Sequence, residues 1–250
     1  MMPDDAERTL LAGDDWIYQR KRGHRTSTDD VVTAARAVVL CDGTWPARYL
    51  DLGCGIGSVL LFTARVLRPA YAVGLEAQEE SVALLRQTLA EMPCSRRPSV
   101  ELRDLRDADE AGLGRFDLIT GSPPYFPLGT GVEPVDPQRR ACRFEVRGGV
   151  EAYLAAASRL LAPEGRFVMV AQTGMDARVA RAASAAGLTP RSKLQLWMRA
   201  DRQDSFLTVT EVRSLEGPCP TVQMAIRDAA GGITPAYRAL RLRLGLSSKD

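Results

Sequence analysis

The chain contains a single histidine, His24, in 250 residues. That excludes a histidine-rich metal centre, and it leaves His24 as the only possible base of a catalytic triad. The five cysteines (Cys41, Cys54, Cys94, Cys142 and Cys219) are odd in number and include no C-x-x-C pair. Neither a disulfide framework nor a cysteine zinc site is expected; reduced thiols in a cytoplasm are. Charge of either sign is nearly absent in the balance, with 33 basic against 31 acidic residues and a formal net charge of +2. Affinity for a polyanion would therefore have to come from local clusters. No run of 18 apolar residues occurs and no basic-then-apolar segment opens the chain, so a soluble, unexported protein without membrane or metal is expected.

What is present suffices for a large core: 45% of the residues are hydrophobic, and the length suits one α/β domain. Residues 1–15 are acidic and aperiodic and read as disordered. Residues 16–47 form a basic and then helical entrance, in which Thr26-Ser-Thr-Asp-Asp30 supplies N-cap chemistry for a helix from Val31 to Leu40. From Arg48 strand and helix patterns alternate. Strands are expected at Arg48–Leu52, Tyr71–Leu75, Val100–Leu102, Phe116–Thr120 and Arg166–Ala171, and helices at Ser58–Leu67, Glu79–Glu91, Val150–Leu161 and Asp176–Ala186. Glu133 to Pro137 reads as a loop. The later strand candidates Leu194–Met198, Phe206–Val212 and Thr221–Ile226 suit an antiparallel edge. The expectation is a Rossmann-like, doubly wound, mostly parallel seven-stranded sheet with an antiparallel C-terminal edge. Residues 48–226 would be its catalytic core and 227–250 a tail.

Two short segments carry the chemistry. Asp51-Leu-Gly-Cys-Gly-Ile-Gly57 follows an apolar strand and has the form of a strand-to-helix turn. Gly53, Gly55 and Gly57 do not make G-x-G-x-x-G, and no G-K-[ST] is present, so phosphate binding is disfavoured. An acid before the glycines and no nearby cation suit a cofactor that carries an amino acid and a ribose. Glu76 ends the next strand, where a doubly wound fold places a carboxylate for ribose hydroxyls. The plainer alternative is an ordinary tight turn and a surface glutamate.

The second segment is Ser122-Pro-Pro-Tyr125, after the apolar run Phe116–Thr120. Ser122 and Pro123 each precede a proline and are kept out of the α region, and each ring fixes its own φ. The result is a stiff loop offering two acceptors, the Ser122 hydroxyl and the Pro123 carbonyl. Such a loop can accept both N–H bonds of a conjugated amine and aim its nitrogen at a methyl donor, a positioning effect worth up to about 7–11 kcal/mol. Tyr125, with Phe126 beside it, can stack on a planar target at about 1–3 kcal/mol per base. A structural proline turn is the alternative.

On these residues the chain resembles the class I S-adenosylmethionine-dependent methyltransferases, in the amino-methylating branch whose loop is usually Asn-Pro-Pro-Tyr. Within that branch it is similar to the small bacterial enzymes that make N6-methyladenine beside the anticodon of valine tRNA. Gln19 to Asp30, Asp104-Leu-Arg-Asp107, Arg143-Phe-Glu145 and Gly232 to Leu240 resemble further segments of that family. The resemblance implies S-adenosylmethionine as cofactor, held by Asp51, Gly53, Cys54, Gly55, Gly57, Glu76, Ala77, Asp104, Leu105 and Ser122. It also implies a target base positioned by Ser122, Pro123, Pro124 and Tyr125. Serine in place of asparagine leaves the base open, because Ser-Pro-Pro-Tyr is also the form in cytosine-amine DNA methyltransferases. Protein-glutamine methyltransferases share the loop too, and an inactive RNA-binding module on the same fold is the non-enzymatic alternative.

Two basic clusters favour RNA, with tRNA the best candidate partner: Arg20, Lys21, Arg22 and Arg25 before the first helix, and Arg139, Arg140, Arg143 and Arg147 after the proline loop. They could flank one cleft. The alternative is that they are solvated faces, since 30 of the 33 basic residues are arginine.

Overall fold

The computed structural model describes residues 2–94 and 97–247. Met1 and residues 248–250, parts of the expected N-terminal and tail segments, lie outside them. Among the described residues the main sheet has eight strands: β3 (Arg48–Leu52), β4 (Tyr71–Glu76), β5 (Ser99–Leu102), β6 (Phe116–Gly121), β7 (Leu161–Gln172), β8 (Thr189–Arg199), β9 (Leu207–Arg213) and β10 (Thr221–Arg227). Their order is β10-β8-β9-β7-β6-β3-β4-β5.

β3, β4 and β6 are nearly continuous apolar runs because both of their faces are covered, as parallel strands require. Alternate side chains part cleanly. Tyr49, Leu118, Val168 and Val170 pack beneath α1 (Thr28–Leu40), α2 (Ser58–Leu67) and α3 (Glu79–Ala90). Leu50, Leu52, Ile119, Phe167 and Met169 pack beneath α6 (Val150–Leu160) and α7 (Asp176–Ala185). A period of two in the strands thus serves two helical layers. Of the remaining helices, α4 (Glu110–Leu113) lies beside α6, α5 (Pro137–Arg143) follows the proline loop, and α8 (Pro235–Arg243) packs on β10 and α1.

Three expectations need correction. The sheet has eight strands rather than seven, because all eight strand candidates, Thr221–Ile226 included, join it. The antiparallel strand is the enclosed β9, paired with β7 and β8, while β10 runs parallel to β8 at the edge. Residues 1–15 are not disordered throughout. β1 (Ala6–Ala12) and β2 (Asp15–Arg20) form a hairpin about Gly13, whose φ is +55°, and the buried Ile17 and Leu11 anchor it. β2 lies on α3, where the Tyr18 amide donates to Thr88 Oγ1 at 2.9 Å.

The order of the sheet reverses between β3 and β6, which places a crevice at their carboxyl ends. The glycine turn leaves β3 there, Glu76 ends β4, Asp104 follows β5 and Ser122 follows β6.

Candidate active site

These four strand ends open into one cleft. Of the residues expected to hold the cofactor, Asp51, Gly53, Cys54, Gly55, Glu76, Ala77, Asp104, Leu105 and Ser122 line it, and so do Pro123, Pro124 and Tyr125. Gly57 does not. It heads α2 at φ +93°, and a Cβ there would lie 2.5 Å from Leu85 Cδ1. Gly55, at φ +56°, is different: an added Cβ would meet nothing closer than His24 Cδ2 at 3.8 Å, so its face is open to the cleft.

The carboxylate of Glu76 ties the turn together. Its Oε2 accepts from the Gly55 amide at 2.8 Å and its Oε1 from the Gln78 amide at 2.7 Å. A carboxylate has about four acceptor sites, so these bonds fix its orientation and leave capacity for a ligand. Burial raises its pKa, with the two amides opposing.

Asp51 is held from behind. Thr120 Oγ1 donates to Asp51 Oδ1 at 2.6 Å, and Tyr49 Oη stands 2.8 Å from the same threonine oxygen. Thr120 has one proton and gives it to Asp51, so the tyrosine must donate to Thr120. Asp51 Oδ2 is buried without a partner, and burial pushes this carboxyl up to about 7. An unpaired buried carboxylate oxygen is costly unless a donor arrives. An ammonium group of an amino-acid moiety would be such a donor.

Across the cleft, Ser122 Oγ is likewise buried without a partner. Pro123 and Pro124 are buried, and Tyr125 Oη donates to Asp29 Oδ2 at 2.8 Å. Phe126, considered a second stacking ring, is not part of the cleft lining. Its ring sits 5.5 Å from that of Phe144, its amide donates to the Arg143 carbonyl at 3.0 Å, and its own carbonyl accepts from the Glu145 amide at 2.9 Å. Residues 127–143 thus form an excursion pinched at its base, with Leu128, Val132 and Val135 exposed on it. Asp104 is occupied by Arg106, whose guanidinium and amide hold its pKa low.

The basic clusters divide. Arg20 is enclosed by three carboxylates, Asp5 at 2.7 Å, Glu80 at 3.1 Å and Asp136 at 2.7 Å. Arg25 pairs with Glu7, and Arg140 with Glu133. Lys21, Arg22, Arg139, Arg143 and Arg147 are exposed, and Arg147 lines the cleft. The segments that carry the two clusters touch, since Gln138 Oε1 accepts from the His24 amide at 3.1 Å while Arg20 reaches Asp136, but of the eight basic residues Arg147 alone is among those that line the cleft.

Sequence reasoning missed Asp29, Asp30, Gln78, Cys142 and Tyr153 as cleft residues. The two aspartates were legible as N-cap chemistry for α1 and as part of the Gln19–Asp30 segment that resembles the methyltransferase entrance, without a place in the cleft. Asp30 does serve the cap of α1, its Oδ2 accepting from the Ser27 amide at 2.9 Å. Tyr153 has a signal after the fact: a Cβ on Gly53 would lie 2.1 Å from its hydroxyl.

The fold can be compared with solved structures. A predicted O-methyltransferase from Agrobacterium tumefaciens matches with TM-score 0.61 and 18% identity over 88% of this chain and 98% of that one. A glycopeptide N-methyltransferase complexed with S-adenosylmethionine matches with TM-score 0.52 and 15% identity over 79% of this chain and 100% of that one. This is the class I methyltransferase fold. Two curated relatives, each named tRNA1(Val) (adenine(37)-N6)-methyltransferase, match in sequence. The Porphyromonas gingivalis protein is 32% identical over 149 residues, 58% of each chain. The Serratia proteamaculans protein is 26% identical over 217 residues, 86% of this chain and 81% of its own length. The chain thus covers less than two thirds of the Porphyromonas relative. No protein-family model matches it. Among the described residues, no helix of this methyltransferase fold is long and apolar enough to cross a membrane, and no group of three or more His, Cys, Asp or Glu side chains is placed to hold a metal ion.

Proposed function

We propose that the protein is an S-adenosylmethionine-dependent N-methyltransferase that acts in the cytoplasm on an exocyclic amine of an RNA base, N6 of adenine in a tRNA being the best-supported target. The observation that carries this reading is that Asp51 on the glycine turn and Ser122 on the proline loop both line one cleft and each keeps a buried oxygen, Asp51 Oδ2 and Ser122 Oγ, without a partner. The names of the two sequence relatives support the choice of substrate. Residues 48–226 are the catalytic core on this reading, and 16–47 and 227–250 frame it.

The cofactor, when bound, supplies an electrophilic methyl group on a sulfonium. Asp51 would accept from the methionine ammonium, the open face of Gly55 with Gly53 and Cys54 would border it, and Glu76 with Ala77 would hold the ribose. Asp104 and Leu105 would border the adenine. Gly57 acts by allowing the tight entry to α2 rather than by contact. Ser122 Oγ and the Pro123 carbonyl would accept the two N–H bonds of the target amine, and Pro124 keeps the loop stiff. Tyr125 would lie against the base. Lys21, Arg22, Arg139, Arg143 and Arg147 would meet phosphates, whereas Arg20, Arg25 and Arg140 are engaged in ion pairs.

The test is incubation with methyl-labelled cofactor and total tRNA, followed by nucleoside analysis. Label in N6-methyladenosine is expected. Label in N4-methylcytidine would move the target to cytosine, which the Ser122 hydroxyl makes a specific second reading. Label in protein with none in RNA would replace RNA by a protein amide, and no transfer at all would leave a binding module.

A further inference from the structure

We propose that Asp29 is a positioning residue for methyl transfer: its carboxylate reaches from the first turn of α1 to the Tyr125 hydroxyl and fixes the ring of the proline loop. The inference rests on the reading of Ser122–Tyr125 as the amine-binding loop. Two prolines stiffen the backbone ahead of Tyr125, but they leave the tyrosine free to turn about its side-chain torsions. Something at the ring's tip must set its plane. Among the described residues the tip is held by Asp29 Oδ2, 96 residues away in sequence and 2.8 Å away in space.

Asp29 is itself held. Its Oδ1 accepts from the Ser27 hydroxyl, and it stands in the first turn of a helix, where the macrodipole favours a carboxylate. α1 in turn is seated on the core through Val31, Val32, Ala34 and Ala35. The neighbouring acid cannot take over, because Asp30 closes the capping box of α1 with Ser27. The two adjacent aspartates thus divide the work, one capping the helix and the other crossing the cleft. The chain's entrance segment and its proline loop are thus joined by a charge-assisted bond. Burial and the Asp29 carboxylate both keep the Tyr125 hydroxyl protonated, as the donor role requires.

A double-mutant cycle tests this. Asp29→Ala and Tyr125→Phe should each lower kcat about tenfold, and the double variant should lose no more than either single one, because both remove the same bond. Asp29→Asn keeps an acceptor and should stay within about threefold of wild type. The stabilisation of each variant by S-adenosylhomocysteine should match wild type. Multiplying losses, near a hundredfold in the double variant, would overturn the proposal. So would loss of the S-adenosylhomocysteine shift in Asp29→Ala, which would make Asp29 a cofactor ligand instead. The same cycle run by equilibrium denaturation needs no substrate: coupling between the two substitutions is expected, and its absence would refute the bond. If wild-type protein transfers no methyl group to tRNA, the proposed function fails while the denaturation cycle still decides on the bond.

Discussion

Two single oxygens decide most of the chemistry at the residue scale. Asp51 Oδ2 and Ser122 Oγ are both buried and both unpaired, so each carries a desolvation cost that a ligand can relieve. Glu76 is the organising neighbour, because its carboxylate bonds both the glycine turn and the start of the next loop. S-adenosylhomocysteine at about 100 times its Kd should stabilise the fold by about 2.7 kcal/mol and raise Tm by about 5–10 °C. Glu76→Ala should erase most of that shift in a thermal melt, and a shift produced by NAD or ATP instead would overturn the reading of the turn. Ser122→Ala should slow methyl transfer about tenfold with cofactor affinity within a few-fold of wild type. Ser122→Asn should be tolerated or faster if adenine is the target; loss of a cytosine activity in that variant would identify the other base. Single-turnover rates with each substrate separate these outcomes.

At the scale of elements, Arg20 changes its meaning. As one of four cations in a basic run it reads as an RNA contact; in the fold it joins the end of β2 to Asp5, to Glu80 of α3 and to Asp136, the N-cap of α5. Arg20→Ala should therefore lower stability by about 1–3 kcal/mol, since three partly buried carboxylates lose their partner. Replacing Arg139 and Arg143 should leave Tm in place and flatten the salt dependence of tRNA binding by about 1 to 2 units of log slope. Fluorescence anisotropy across a salt series, beside a melt of each variant, distinguishes the two roles. The core elements were legible because both periodicities were strong: the continuous apolar strands β3, β4 and β6, and the spaced Val82, Leu85 and Leu89 of α3. The β1–β2 hairpin was not, because its alternation is carried by few large residues and its charges mask it; Ile17 and Gln19 face inward while Trp16 faces out. Of the cleft, the turn and the proline loop could be read in advance. Asp29 could not, because its partner Tyr125 is distant in sequence and only the fold brings them together.

The whole molecule should respond to pH in an unusual direction. Burial raises Asp51 to about 7 and lifts Asp30 and Glu76 as well. His24 is also raised: burial opposes its charge, but Cys142, Asp29 and Glu76 outweigh that. Each of these groups binds its proton more tightly in the folded state than unfolded. Their contribution to stability is thus complete at low pH and is lost as pH rises through the folded values. The free protein should lose Tm between about pH 5 and pH 8, and Asp51→Asn should flatten that slope. A ligand with an ammonium group favours the ionised Asp51, so S-adenosylhomocysteine affinity should rise over the same window; melts with and without ligand across a pH series measure both. A different consequence follows from the pinch between Phe126 and Phe144. Backbone bonds close residues 127–143 at their base, and Asp136 and Gln138 tie the second half of that stretch to Arg20, His24 and Ser81; since lengthening a closed loop adds little entropic cost, the exposed first part, residues 127–132, can be exchanged without disturbing the cleft beneath it. It is a socket: one catalytic chassis could be refitted for another substrate by changing six consecutive residues, numbers 127 to 132.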